Sequence, residues 1–256
     1  PDFLVSNLDM MEKQTPFYDG LCIRFEQGDD PFIKEKFNYD NFKNEIELLK
    51  EAKFKVFKDN FIAAMIMSIG ESWDWFNEQD IETATYNFGL LAKMAKDTGC
   101  KGLLIDPEVY CPREIWNYEK IKGAKEKTYD EYYEQVRKAG REIMSAIQKE
   151  YPDIKLFFLF LNSAFHDSVF NNEEELKKIL VLHRYGLLPA FLNGILDVTN
   201  AEVTIIDGSE ISYWWRNHES FYYTYHNVHQ GALSLIAPEN REKYRKQIQI
   251  SFGIFP

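Results

Sequence analysis

The sequence predicts an α/β fold built on a parallel sheet, on three observations. Short apolar runs recur along the chain, and each gives way to a polar or aromatic loop. Each loop leads into a segment whose apolar residues fall three and four apart, the period of an amphipathic helix. The runs are apolar on both faces, as strands buried between two layers are, and the helical segments are long enough to cross back between parallel strands.

In chain order, "GLCIRF" (20–25) is the first strand, followed by a helix over about 40–52. "FIAAMIMSIG" (61–70) and "KGLLIDPE" (101–108) are the second and third, separated by a helix over 78–98. A helix over 129–150 precedes "KLFFLFLNS" (155–163), and one over 173–199 precedes "VTIIDGSE" (203–210). A helix over 219–235 then leads to "QISFGIFP" (249–256). Several helices open on an acid-rich turn, which suits the positive end of a helix dipole. The stretch 129–150 is the clearest, with Tyr132, Val136, Ala139, Ile143 and Ile147 on one face and Glu, Arg and Lys on the other.

An open doubly wound sheet and a closed barrel both satisfy this rhythm. No G-x-G-x-x-G follows the first strand and no Walker-type loop occurs, so the expectation is a TIM-type (β/α) barrel with six evident β/α units. A closed barrel needs eight. The shortfall is made up if the chain is a truncated form of a longer protein, or if "DFLVSNL" and "FKVFKDN" supply further strands. No linker, composition shift or internal repeat divides residues 1–256, which read as a single domain.

Composition narrows the partners. With 45 % hydrophobic and 16 % aromatic residues, the 256-residue chain has ample material for a core. The net charge of −11, from 41 acidic and 30 basic side chains without a Lys/Arg cluster, would repel a phosphate backbone, so no nucleic acid partner is expected. No 18-residue apolar run predicts a membrane span, and "PDFLVSNLDM" does not read as a signal peptide. A processed secreted or periplasmic protein and a cytoplasmic one would read alike here. Cys22, Cys100 and Cys111 show no metal-type spacing and read as free thiols with at most one pair. No motif calls for a cofactor.

In parallel α/β folds the reactive groups gather at the carboxyl ends of the strands. The third strand ends in Asp106 and Glu108, which as i and i+2 point to one side of an extended backbone. The fifth ends in Asp207 and Glu210, around a turn permitted by Gly208. The fourth ends near Asn162 and His166, and the first near Arg24. One acid pair alone reads equally well as a helix cap. Two pairs at one barrel mouth suit glycosidic cleavage, in which one carboxyl protonates the leaving oxygen while the other, ionised, attacks the sugar or activates water.

The aromatic residues point the same way. Trp73, Trp75, Trp116, Trp214 and Trp215 all fall in segments just after a strand, joined by Tyr110 and Tyr213. At a wet rim such rings stack on the C–H face of a pyranose. The competing reading for any one tryptophan is a plug over the barrel mouth or a helix end. His183, His226 and His229 read as solvated or helix-packed, with no H-E-x-x-H, and no G-x-S-x-G elbow supports a serine nucleophile.

"GLLIDPEVY", "WDWFNEQD" after the second strand, and "IIDGSEISYWW" together resemble bacterial (β/α)-barrel, glycoside hydrolase-like families, over about residues 17–256. The resemblance implies a carbohydrate site at the strand carboxyl ends, with the Asp-Pro-Glu acids on one strand and the Asp-Gly-x-Glu acids on another. Such barrels continue through two further β/α units beyond the point reached here.

The expectation is therefore a glycosidase acting on an oligo- or polysaccharide without a metal. Glu108 would be the general acid, its proton affinity raised by Asp106, and Glu210 or Asp207 the nucleophile or base. Trp73, Trp75, Tyr110, Trp116, Tyr213, Trp214 and Trp215, with Asn162, His166 and Arg24, would contact the sugar. The alternatives are a metal-dependent sugar isomerase or epimerase using Glu108, Asp207, Glu210 and His166, and a non-catalytic glycan-binding barrel.

Overall fold

The structure, a computed structural model, describes residues 1–26, 28–67, 73–110, 114–121, 126–165 and 172–254. Six strands form one all-parallel sheet: β1 (Cys22–Ile23), β2 (Phe61–Ile66), β3 (Gly102–Val109), β4 (Lys155–Phe158), β5 (Thr204–Asp207) and β6 (Ile248–Ile250). Their spatial order is their chain order. All six predicted strands are present, although β1 and β6 are much shorter than the apolar runs that announced them. Because the order never reverses, the sheet has no switch-point crevice of the doubly wound kind.

Among the described residues eight α-helices accompany the sheet: α1 (Asp2–Gln14), α2 (Lys43–Glu51), α3 (Glu78–Asp97), α4 (Tyr129–Glu150), α5 (Glu173–Leu182), α6 (Leu188–Val198), α7 (His218–His229) and α8 (Arg241–Gln247). The two faces of the sheet differ. Ile62, Leu103, Leu156 and Ile205 lie side by side in register and are wholly enclosed. Their chain neighbours Leu104, Phe157 and Ile206 share the opposite face and stay half-buried. The enclosed face is the one that α3 and α6 cover, through Phe88 and Phe191.

Helices α4 and α6 approach so closely that a Cβ on Gly194 would sit 2.1 Å from the Arg137 carbonyl oxygen. Across this contact Arg137 donates two hydrogen bonds to Asp197, at 2.8 and 2.7 Å, and a third to Glu239 at 2.7 Å. Thr128 starts α4 with a reciprocal capping box to Glu131.

Three sequence expectations need correction. "DFLVSNL" is not a strand but part of α1, and "FKVFKDN" is a loop. The Glu12 carboxylate of α1 accepts the backbone N–H groups of Lys55, Val56 and Phe57, at 2.8, 2.8 and 3.1 Å, so this loop is tied to a helix rather than to a sheet. The helix expected over 173–199 is two helices, α5 and α6. It breaks after Leu182, in a turn that holds Gly186, where any Cβ would meet the Leu180 carbonyl oxygen at 1.8 Å, and restarts with Pro189 in the first turn of α6, where proline loses no helical hydrogen bond.

Candidate functional site

The site begins with an irregularity in β3. Ala64 of β2 lies opposite Ile105, but Ile66 lies opposite Val109, so one β2 residue spans three residues of β3. This bulge contains Asp106, Pro107 and Glu108. Proline is tolerated inside a strand at a bulge, and bulges re-aim side chains. Glu108 N–H donates to Asp106 Oδ1 at 2.9 Å, while Asp106 Oδ2 is buried without a hydrogen-bond partner. Burial pushes the Asp106 carboxyl above the usual carboxylate range, the Glu108 N–H and the Tyr110 hydroxyl pull it back, and the Glu108 charge adds to the rise. Burial and the same two carboxylates drive the Tyr110 hydroxyl far above its ordinary value.

At the end of β5 the chain turns through Gly208 and Ser209. A Cβ on Gly208 would lie 2.7 Å from the carbonyl oxygens of both Phe158 and Leu159, and Ser209 adopts a left-handed conformation with φ 43° and ψ 55°. That turn hands the chain to a 3-10 segment, Glu210–Trp214. Glu108 and Glu210 thereby face one cleft of about 490 Å³, with Tyr213 and Trp214 in its wall. Burial first, then the charges of Asp106 and Glu108, raise the Glu210 carboxyl above its ordinary value.

Asp207 plays a different part. It is wholly enclosed, and its oxygens accept from Leu161 N–H (3.2 Å), Ser163 N–H (2.8 Å), Ser163 Oγ (2.5 Å) and Ser209 N–H (3.2 Å). Burial raises its pKa, and these four bonds oppose the rise. The expectation of Asp207 as nucleophile or base is corrected: the carboxylate clips the segment after β4 to the turn after β5, two walls of the cleft.

The tryptophans divide. Trp73, Trp75 and Trp116 are core residues, with Trp75 fully buried, so none is a platform at a wet rim. Trp75 packs between Trp73 (5.3 Å between ring centres) and Trp116 (5.5 Å). Two of the three indole N–H groups are bound inward, Trp75 Nε1 to the Ile115 carbonyl at 2.7 Å and Trp116 Nε1 to the Pro107 carbonyl at 2.9 Å, while Trp73 Nε1 is buried without a partner. The second of these bonds braces the bulge from behind. Trp214 stands at the rim, 75 % exposed, and Trp215 packs on Phe221 at 5.1 Å.

Asn162 does not reach the cleft either. It is buried, donating to the Tyr244 hydroxyl at 3.1 Å, which in turn donates to the Val228 carbonyl at 2.8 Å. Arg24 is outside the cleft wall and pairs with Asp29. His166 and Cys111 lie outside the described residues, and Cys22 and Cys100 are free thiols. Among the described residues no three His, Cys, Asp or Glu side chains converge as metal ligands, and no helix is long and apolar enough to cross a membrane.

Sequence reasoning missed the third wall, formed by His183, Arg184 and Tyr185 between α5 and α6. Arg184 donates to the Val109 carbonyl at 3.2 Å and brings a cation to an acidic cleft. The Tyr185 hydroxyl is pushed up to about 12 by burial, with Arg184 opposing and the charges of Glu108, Asp106 and Glu210 adding to the rise. Gly186 and Pro189, read as a helix break, would have exposed this loop. No family model and no curated protein matches the chain.

Proposed function

We propose that the cleft cleaves a glycosidic bond, and that the six strands are an arc of a (β/α) barrel whose open mouth carries it. The barrel reading is supported by the unreversed strand order and by helices covering one face of the sheet. The functional reading rests on one observation: Glu108 and Glu210, delivered by separate strands, face a single cleft walled by aromatic rings.

The electrostatics favour Glu210 as the acid, the reverse of the order expected from sequence. Burial and two neighbouring carboxylates favour its neutral form, which is the form that can give a proton to a leaving oxygen. Glu108 then attacks the anomeric carbon or activates a water. Asp106, buried beside it, fixes the Glu108 backbone through its N–H. Tyr213 and Trp214 seat the sugar by their faces, and Arg184 and Tyr185 supply donors to its hydroxyls.

The test is sugar release from a broad glycan panel by wild type, Glu108→Gln, Glu210→Gln, and wild type with chelator. The expected result is release that either substitution removes and chelator leaves intact. Full turnover in Glu108→Gln would overturn the assignment. Retention on glycan columns without release of any sugar would make the chain a glycan-binding protein, and loss of turnover with chelator would favour a metal-dependent isomerase.

A further inference from the structure

Helix α7 carries an unusual outer face. Its inner side is set by Thr224 and Val228, both fully buried. On the outer side His218, Tyr222, Tyr225 and His229 follow one another at spacings of four, three and four, which places a ring on the same stripe at every helical turn. Tyr222 is 68 % and Tyr225 46 % exposed, His218 is exposed, and His229 is half-buried with its ring 4.5 Å from that of Tyr225. The stripe contains no charged and no aliphatic side chain.

This face is joined to the cleft. Trp215 stacks edge-on against Phe221 in the first half of α7, and Trp215 directly follows Trp214, which stands in the cleft wall. The helix that carries the exposed rings is therefore joined to the cleft wall through Phe221, Trp215 and Trp214. Rings spaced by one helical pitch, about 5.4 Å, are separated by a distance on the order of one pyranose unit. From His218 to His229 the stripe is about 16 Å long, enough for roughly three sugars.

We propose that α7 is a track for an extended, uncharged polysaccharide that enters the cleft over Trp214. The proposal rests on the glycosidase reading and deepens it: the substrate is a neutral chain of several sugars rather than a short oligosaccharide. The chemistry of the stripe selects this occupant. A dry helix–helix seam is built from interlocking aliphatic knobs, which are absent here. A membrane-binding face needs Lys or Arg beside its apolar residues, and the stripe has neither. Tyr and His combine a flat face for sugar C–H groups with a polar edge for hydroxyls. A chain carrying a net charge of −11, with two carboxylates lining the cleft, disfavours an anionic polymer.

The experiment compares wild type with Tyr222→Ala/Tyr225→Ala on a xylan, a mannan and a mixed-linkage glucan, each as polymer and as its trisaccharide. The readouts are kcat/KM and migration through gels containing the polymer. Both tyrosines are surface residues, and unchanged circular dichroism and thermal midpoint will show that the fold is intact. The expected result is a fall of roughly tenfold in the ratio of polymer to trisaccharide kcat/KM, from two lost ring contacts, with faster gel migration. An unchanged ratio, or an equal loss on polymer and trisaccharide, would overturn the track while leaving the glycosidase reading standing. Wild type that neither cleaves nor is retarded by any of the six substrates would remove both.

Discussion

The acid pairs that end β3 and β5 look alike in sequence and differ in the fold. Asp106 and Asp207 each terminate an apolar run, and each is followed within three residues by a glutamate. Register separates them. Ile105 pairs with Phe158 and Phe158 with Asp207, so Asp207 shares the enclosed face of the sheet with those two apolar residues. Asp106 is one residue past Ile105, inside the β3 bulge, where the regular register is broken. Both carboxylates are buried, but Asp207 accepts four hydrogen bonds while Asp106, in the bulge, keeps one buried oxygen without a hydrogen-bond partner. Acids at strand ends thus mark a place, while pleat and bonding assign the task.

Glu108→Gln and Glu210→Gln should each lower turnover on unactivated glycans by about 10²–10⁴-fold. They should part on an aryl glycoside with an acidic leaving group, which needs no proton: Glu210→Gln recovers and Glu108→Gln does not. Recovery of the other variant would exchange the two roles.

Next is the clip. Asp207→Ala leaves buried donors from both cleft walls unsatisfied, and urea denaturation should show a loss of about 3 kcal/mol or more. Asp106→Asn, by contrast, keeps an acceptor for Glu108 N–H and removes a poorly solvated charge, so its stability should lie within about 1 kcal/mol of wild type. A similar cost at both positions would mean that the two aspartates carry equal structural weight.

The Asp106 variant also carries a pH signature. The folded state holds the Asp106 proton more tightly than the unfolded chain, whose aspartates titrate near about 3.9. The unfolded state therefore binds fewer protons above that pH, and stability falls as pH rises through the raised native pKa. Wild type should lose ground to Asp106→Asn over that rise and recover it below about pH 4, as read from denaturation midpoints at each pH. A difference that does not vary with pH would show that the Asp106 proton is held no more tightly in the fold than outside it. The smallest change concerns the rim. Trp214→Ala should alter stability by no more than about 0.5 kcal/mol, while weakening retention on glycan columns; an equal retention time would take Trp214 out of the sugar path.

Much of the fold was legible because local pattern carries it. Two-sided apolar runs gave six strands, and the 3.6-residue period gave α3 and α4 nearly to their ends. The pattern over 173–199 predicts too long a helix because apolar residues resume at Tyr185 after only His183 and Arg184, and only Gly186 and Pro189 mark the break. "DFLVSNL" allows a strand as one source of the missing units because seven residues do not distinguish a short helix from an extended run. The site was half legible. Strand-end position found Glu108 and Glu210, yet the same rule promoted Asp207, Trp73, Trp75 and Trp116, whose enclosure depends on packing.

By itself the sequence determined the parallel sheet, its six strands and the supply of acids and rings near the strand ends, since these follow from hydrophobic period and from residues lying next to apolar runs. Tertiary structure alone decided the rest: which aspartate is held by four hydrogen bonds, which tryptophans are core, that Arg184 and Tyr185 line the cleft, and that the Glu210 carboxyl is raised above its ordinary value. Each of these depends on strand register or on groups brought near one another from distant parts of the chain, and desolvation and charge act through that spatial neighbourhood rather than through sequence distance.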